Sequence, residues 1–158
     1  MIYAATGHRP QFLPCKFNES DPWLIDLKTR LLDWMQFNNP DKVISGMALG
    51  WDMWVADAAL QLGIPFDAYV PFPGQPTRWA DSSIKHYNYL LSKAAKVKTI
   101  SKYYSNRAFT LRDEAMVNDA TGVVALLSPK MKSGGTFYTV NYAKKNGKNI
   151  INFWYEGK

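Results

Sequence analysis

A chain of 158 residues, 47% hydrophobic and 20% charged, is long enough to bury a substantial core and lacks the composition that keeps polypeptides disordered. Its single cysteine, Cys15, excludes an intramolecular disulfide framework and a cysteine-based zinc site, and suits a reducing compartment such as the cytoplasm. The formal charge is +6, no apolar run approaches the roughly 18 to 20 residues of a membrane span, and the N-terminus lacks the order of a signal peptide, so no membrane partner is expected.

Residues 2–5 form a short apolar run that stops at Thr6-Gly7-His8-Arg9-Pro10, a first strand and its loop. Ser20 and Asp21 can cap a helix with Pro22 in its first turn; Leu24, Leu27, Leu31 and Trp34 carry it to about Asn38. A second strand over 42–45 leads into Gly46-Met47-Ala48-Leu49-Gly50 and a helix bearing Trp54, Val55, Ala58, Ala59 and Leu62, closed by Gly63.

The segment 64–71 reads as a third strand, ended by the loop Pro71-Phe72-Pro73-Gly74-Gln75-Pro76. A helix over 82–95 and a fourth strand over 97–101 follow, and 103–108 reads as irregular. The remaining elements are a short helix over 111–119, a buried strand over 122–127, a helix over 135–146 closed by Gly147, and a last strand over 149–154. Strands alternating with helices give the expected fold class: α/β, one doubly wound Rossmann-like domain over residues 1–158, its mainly parallel sheet flanked by helices. Ligands of such sheets bind beyond the carboxyl ends of the strands, where the loops after strands one, two, three and five all lie.

Several residues on that edge can carry chemistry. Gly46 and Gly50, with Ser45 before them, flank a strand-to-helix loop in which backbone N–H groups could cradle a phosphate, although the spacing matches neither dinucleotide nor P-loop fingerprints and a tight turn explains it equally. Asp52 could accept a ribose hydroxyl or simply suit the helix dipole. Ser133, Gly134, Gly135 and Thr136 repeat the arrangement after the fifth strand, with Lys130 and Lys132 just upstream.

Gly7, His8 and Arg9 follow the first strand directly, where arginine can hold phosphate and histidine can donate a hydrogen bond or move a proton. Arg112, Asp113 and Glu114 are expected to start a helix, where the acids suit the dipole and the arginine does not unless it meets an anion. Among aromatics near the loops, Trp54 reads as core, while Trp79 and Tyr104 are candidate ligand walls. No metal-ligand pattern occurs, and neither a metal nor a cofactor is expected.

The charge is uneven: residues 1–81 carry 6 basic and 9 acidic side chains, a net of −3, and residues 82–158 carry 13 and 4, a net of +9. A lysine-rich solvated surface explains this as well as an anionic partner does, and in the absence of a nucleic-acid reader's motif only weak nucleic-acid binding is allowed.

Thr6-Gly7-His8-Arg9, Ser45 to Asp52, Pro71-Phe72-Pro73-Gly74-Gln75, Arg112 with Met116-Val117, and Gly134-Gly135-Thr136 with Tyr142-Ala143 together resemble the YpsA/YoqJ-like branch of the SLOG superfamily over nearly the whole chain. The resemblance implies a Rossmann-like nucleotide-binding fold, in a superfamily that includes LOG-type phosphoribohydrolases, the DNA-processing protein DprA and sensor domains for nucleotide-derived signals. LOG enzymes carry a catalytic arginine, matched in position by Arg112, and a P-G-G-x-G-T-x-x-E loop with a catalytic glutamate. Here the residue three beyond Thr136 is Thr139. Glycosyl chemistry normally requires a carboxylate, which Asp113 or Glu114 would have to supply. The expected function is therefore binding of a nucleotide or nucleotide-derived small molecule, for sensing or sequestration. The alternative is a LOG-like nucleotide N-glycosidase with Arg112, Asp113 and Glu114 as its catalytic set. A homo-oligomer and a DprA-like nucleic-acid role through the basic second half stay open.

Overall fold

The computed structural model describes residues 1–156. Six strands, β1 (Ile2–Gly7), β2 (Lys42–Ser45), β3 (Phe66–Val70), β4 (Lys96–Thr99), β5 (Gly122–Leu126) and β6 (Asn149–Asn152), form one parallel sheet in the order β4-β3-β2-β1-β5-β6. Five helices connect them: α1 (Pro22–Asn38), α2 (Trp51–Gln61), α3 (Asp81–Lys93), α4 (Asn106–Asn118) and α5 (Gly135–Lys145). This is the expected doubly wound, Rossmann-like arrangement.

Strand alternation sorts the core into two layers. Tyr3 and Ala5 face α1, α2 and α3 in one cluster with Leu27, Val55 and Leu90, whereas Ala4 faces α4 and α5 in the other with Met116, Val117 and Val140. Successive connections carry the chain outward from β1 to β4; α4 then brings it back across the sheet, so that β5 pairs with the free side of β1. Strand order therefore reverses between β1 and β5, and a crevice opens above their carboxyl ends.

The boundaries follow local chemistry. Asp21 caps α1 by accepting from Trp23 N (2.8 Å), with Pro22 at the first position. That helix ends on Asn39 in the left-handed region rather than on a glycine. A one-turn 3-10 helix, Pro10–Phe12, lies in the loop expected after β1.

The largest difference from expectation concerns α4, which begins at Asn106, five residues before the expected start at Leu111. Ser105 caps it by accepting from Ala108 N (3.0 Å). Arg112, Asp113 and Glu114 therefore lie within the helix and not at its first turn, so the expected clash between arginine and the helix dipole does not arise. The buried face of α4 runs Ala108, Arg112, Met116 and Val117, and the arginine in its middle hides the apolar period.

Candidate functional site

β1 ends on Gly7, directly beneath the first residue of α2. A Cβ at Gly7 would stand 2.4 Å from Trp51 Cβ, so only glycine lets the strand pass that close to the helix. Trp51 is fully buried and donates from Nε1 to the Val124 carbonyl (3.0 Å), which makes it part of the floor and unavailable for stacking on a base. Ser45, also fully buried, donates to the Asp52 carbonyl (2.7 Å) and accepts from Met47 N (3.1 Å). It ties the 46–50 loop to α2.

Above this floor lies a cavity of about 420 Å³ between the ends of β1 and β5. Its walls come from four segments that are distant in sequence: Thr6 to Arg9, Ala48 with Asp52, Arg112 with Asp113, and Ser133 to Thr136. Of the residues expected at the site, Gly7, His8, Arg9, Asp52, Arg112, Asp113, Ser133, Gly134, Gly135 and Thr136 are thus brought together. Ser45, Gly46, Gly50 and Glu114 do not line this cavity. Gly50 borders a neighbouring cavity, and Glu114 accepts from the Tyr138 hydroxyl on the exposed side of α4 and α5. Trp79 and Tyr104 lie in an adjoining cleft. Lys130 and Lys132 are not on the cavity wall.

The two glycine loops differ in kind. At Gly46 a Cβ would meet Asp52 Oδ2 at 2.8 Å and the Arg112 guanidinium carbon at 2.9 Å, so this glycine makes room for two charged side chains. Its carbonyl is occupied as well, accepting from Arg112 Nη1 and from Gln75 Nε2 (3.2 Å). Gly134, by contrast, takes φ 95° and starts α5 without a side-chain cap, and Gly135 has open space where a Cβ would stand. Gly135 and Thr136, the first residues of α5, thus line the cavity at a helix terminus that no side chain caps, an arrangement that favours an anion.

Arg112 is almost fully buried. Nη1 donates to the Gly46 and Tyr69 (3.4 Å) carbonyls and Nε to Asp113 Oδ1 (2.7 Å), while Nη2 forms no hydrogen bond among the described residues. The fork is thus held by the protein on one edge and left with donors on the other. Asp113 Oδ2 lies 3.2 Å from Thr139 Oγ1, whose hydroxyl also reaches the Gly135 carbonyl (2.8 Å). A carboxylate on α4 therefore sits against the position on α5 where the LOG pattern has glutamate.

Two further groups are electrostatically unusual. Asp52 is buried; among the described residues Oδ2 accepts only a long bond from Ala48 N (3.4 Å), and Oδ1 has no partner. Burial pushes its carboxyl up to about 7, against the opposing pull of the Arg112 charge. His8 Nε2 accepts from Ser128 N (3.0 Å), which places the proton on Nδ1, and burial lowers its affinity for a second proton. It is a neutral donor at the cavity wall.

Sequence reasoning missed Gln11, Phe12, Phe109 and Met131 on that wall, as well as Thr139 behind it. Phe109 was lost with the first turn of α4. No group of three or more His, Cys, Asp or Glu side chains among the described residues could hold a metal ion, and no described helix is long and apolar enough to cross a membrane.

Comparison with known proteins places this geometry. A UPF0398 protein of Bacillus cereus strain B4264 is 26% identical over 158 residues, covering 93% of this chain and 84% of that protein. Among solved structures, DNA processing protein A (DprA) from Streptococcus pneumoniae superposes with a TM-score of 0.65 at 15% identity, over 96% of this chain and 50% of that one. DprA from Helicobacter pylori, whose structure is described for its single-stranded DNA binding mode, gives 0.63 at 13% identity, over 95% of this chain and 64% of that one. These likenesses show the fold, and the chain spans only about half to two thirds of either DprA. The model of the YpsA family, described as the YspA SLOG family, matches residues 3–155, and the chain belongs to that family.

Proposed function

We propose that the chain binds a nucleotide or nucleotide-derived ligand at the carboxyl edge of the sheet, with an anionic phosphate on the first turn of α5. The observation that carries this reading is the uncapped Gly134-Gly135-Thr136 terminus, which opens onto the same cavity as Arg112. The cavity's 420 Å³ falls in the range that small-molecule sites occupy, about 300–1,000 Å³. His8 Nδ1 supplies a donor for a sugar or base. Family membership and the fold shared with DprA support a nucleotide-related role.

A second reading, hydrolysis of a nucleotide N-glycosidic bond, is favoured by one observation: Asp113 stands on the cavity wall beside Arg112 and Thr139. Glu114 drops out of that scheme because it faces away. Asp113 would stabilise positive charge on the sugar, and Asp52, titrating near neutrality, would exchange a proton with the leaving base or the attacking water. Mass spectrometry of small molecules released from the purified protein, followed by incubation with a nucleotide panel and assay for free base, tests both readings. Bound nucleotide without base release supports binding alone, and base release supports hydrolysis. Neither a copurified nor an added nucleotide binding would overturn both.

A further inference from the structure

Beside the first cavity, and sharing Arg9 and Phe109 with it, lies a wider cleft of about 960 Å³. Its cations are Arg9, Arg78 and Lys102, and its lining contains no carboxylate. Its aromatic rings are Phe72, Trp79, Tyr103, Tyr104 and Phe109. Tyr103 and Tyr104 are 81% and 70% exposed, unusual for adjacent large aromatics on a surface, while Phe72, Tyr104 and Phe109 stand edge to face with centroids 5.2 to 6.2 Å apart. Exposed rings interleaved with unopposed cations are what a base joined to a phosphate requires: the rings stack on the base and the cations meet the charge.

Building on the nucleotide reading of the first cavity, we propose that this cleft is a second base-binding subsite, and that the protein's ligand is a free dinucleotide, two nucleosides bridged by phosphate. The first unit occupies the cavity at α5. Arg9, which lines both spaces and holds its guanidinium carbon 6.0 Å from the Phe109 ring centroid, meets the bridging phosphate. The second base stacks against Tyr103 and Tyr104. Two units suffice because the cationic lining ends there: the next cavity along the edge, which shares Pro73, Gly74 and Thr77, is lined by Val70, Ile84, Leu91, Val97 and other uncharged residues. A longer single strand would find no further cations along that path.

The test is isothermal calorimetry on the full chain with AMP, with diadenosine 5′,5′-diphosphate and with a 12-residue oligodeoxyadenylate, repeated on a Tyr103→Ala/Tyr104→Ala variant and on Gly135→Asp. Both tyrosines are exposed, so the double variant is expected to fold, and circular dichroism is the control for that. The dinucleotide should bind at least about 10-fold more tightly than AMP, an advantage that the tyrosine variant abolishes while AMP affinity stays within about twofold. Equal affinities for AMP and the dinucleotide, or an advantage that survives loss of both tyrosines, overturns the second subsite and leaves the first cavity standing. A 12-mer that binds more tightly than the dinucleotide and depends on the same tyrosines overturns the free dinucleotide in favour of a nucleic-acid strand. Binding of neither AMP nor dinucleotide, or binding of both unaffected by Gly135→Asp, removes the first reading and this one with it.

Discussion

Asp52→Asn isolates a buried carboxyl whose ionised form the fold disfavours. In the folded protein its carboxyl titrates near 7, against an ordinary value of 3.8, because burial penalises the ionised form. Between those values the folded state holds a proton that the unfolded chain has released, so this group makes stability fall as pH rises from about 4 to 7. At 1.36 kcal/mol per pH unit, the difference amounts to at most about 4 kcal/mol above pH 7. Asparagine keeps the shape and cannot ionise. Urea denaturation of both proteins from pH 4 to pH 8 should therefore give similar stabilities at the acid end and an advantage for Asp52→Asn that grows to about 2–4 kcal/mol at pH 8. Parallel pH profiles would refute the claim that Asp52 is ionised against its environment, and with it the proposal that it exchanges a proton near neutrality.

Arg112→Ala should do more than weaken phosphate binding. It removes the guanidinium from the Gly46 and Tyr69 carbonyls and takes the cation away from the largely buried Asp113 carboxylate, at a cost of about 3 kcal/mol or more in chemical denaturation, so ligand affinities of this variant need a fold control. Gly7→Ala forces a methyl to within 2.4 Å of Trp51 Cβ and should destabilise by about 1–3 kcal/mol, read as a lowered melting temperature. If the protein releases free base from any nucleotide, Asp113→Asn should abolish that release with nucleotide affinity retained, whereas Glu114→Gln should leave turnover unchanged in a product-release assay.

Much of the fold was legible because its local signals agree with one another. The β2 boundaries and the cap, proline and start of α1 were readable from side-chain chemistry alone, since those signals act within a few residues. The α4 start was not, because Arg112 interrupts the apolar face that reveals a helix, and its burial depends on carbonyls of two loops far away in sequence. The 46–50 loop misled for a related reason. Glycines that admit a phosphate and glycines that admit a neighbouring side chain look alike in sequence, and only the packing of Arg112 and Asp52 against Gly46 distinguishes them. The Gly134-Gly135 loop carried the same ambiguity, and there the space is open. Asp113's pairing with Thr139 joins α4 to α5, a relation invisible to spacing along one chain segment.

On the proposed reading, the first turn of α5 holds an anionic group of a nucleotide. Gly135→Asp tests it cleanly: a Cβ at this position meets no atom within 4 Å, and a carboxylate at a helix N-terminus suits the dipole, so the fold should stand. Calorimetric titration of wild type and variant with the nucleotide identified by mass spectrometry is the decisive measurement. A loss of at least about 100-fold in affinity, with an unchanged melting temperature, is the result expected when a phosphate is displaced from charge-assisted N–H contacts. Equal affinity in the two proteins would place the ligand elsewhere and rule out the α5 terminus as its anion site.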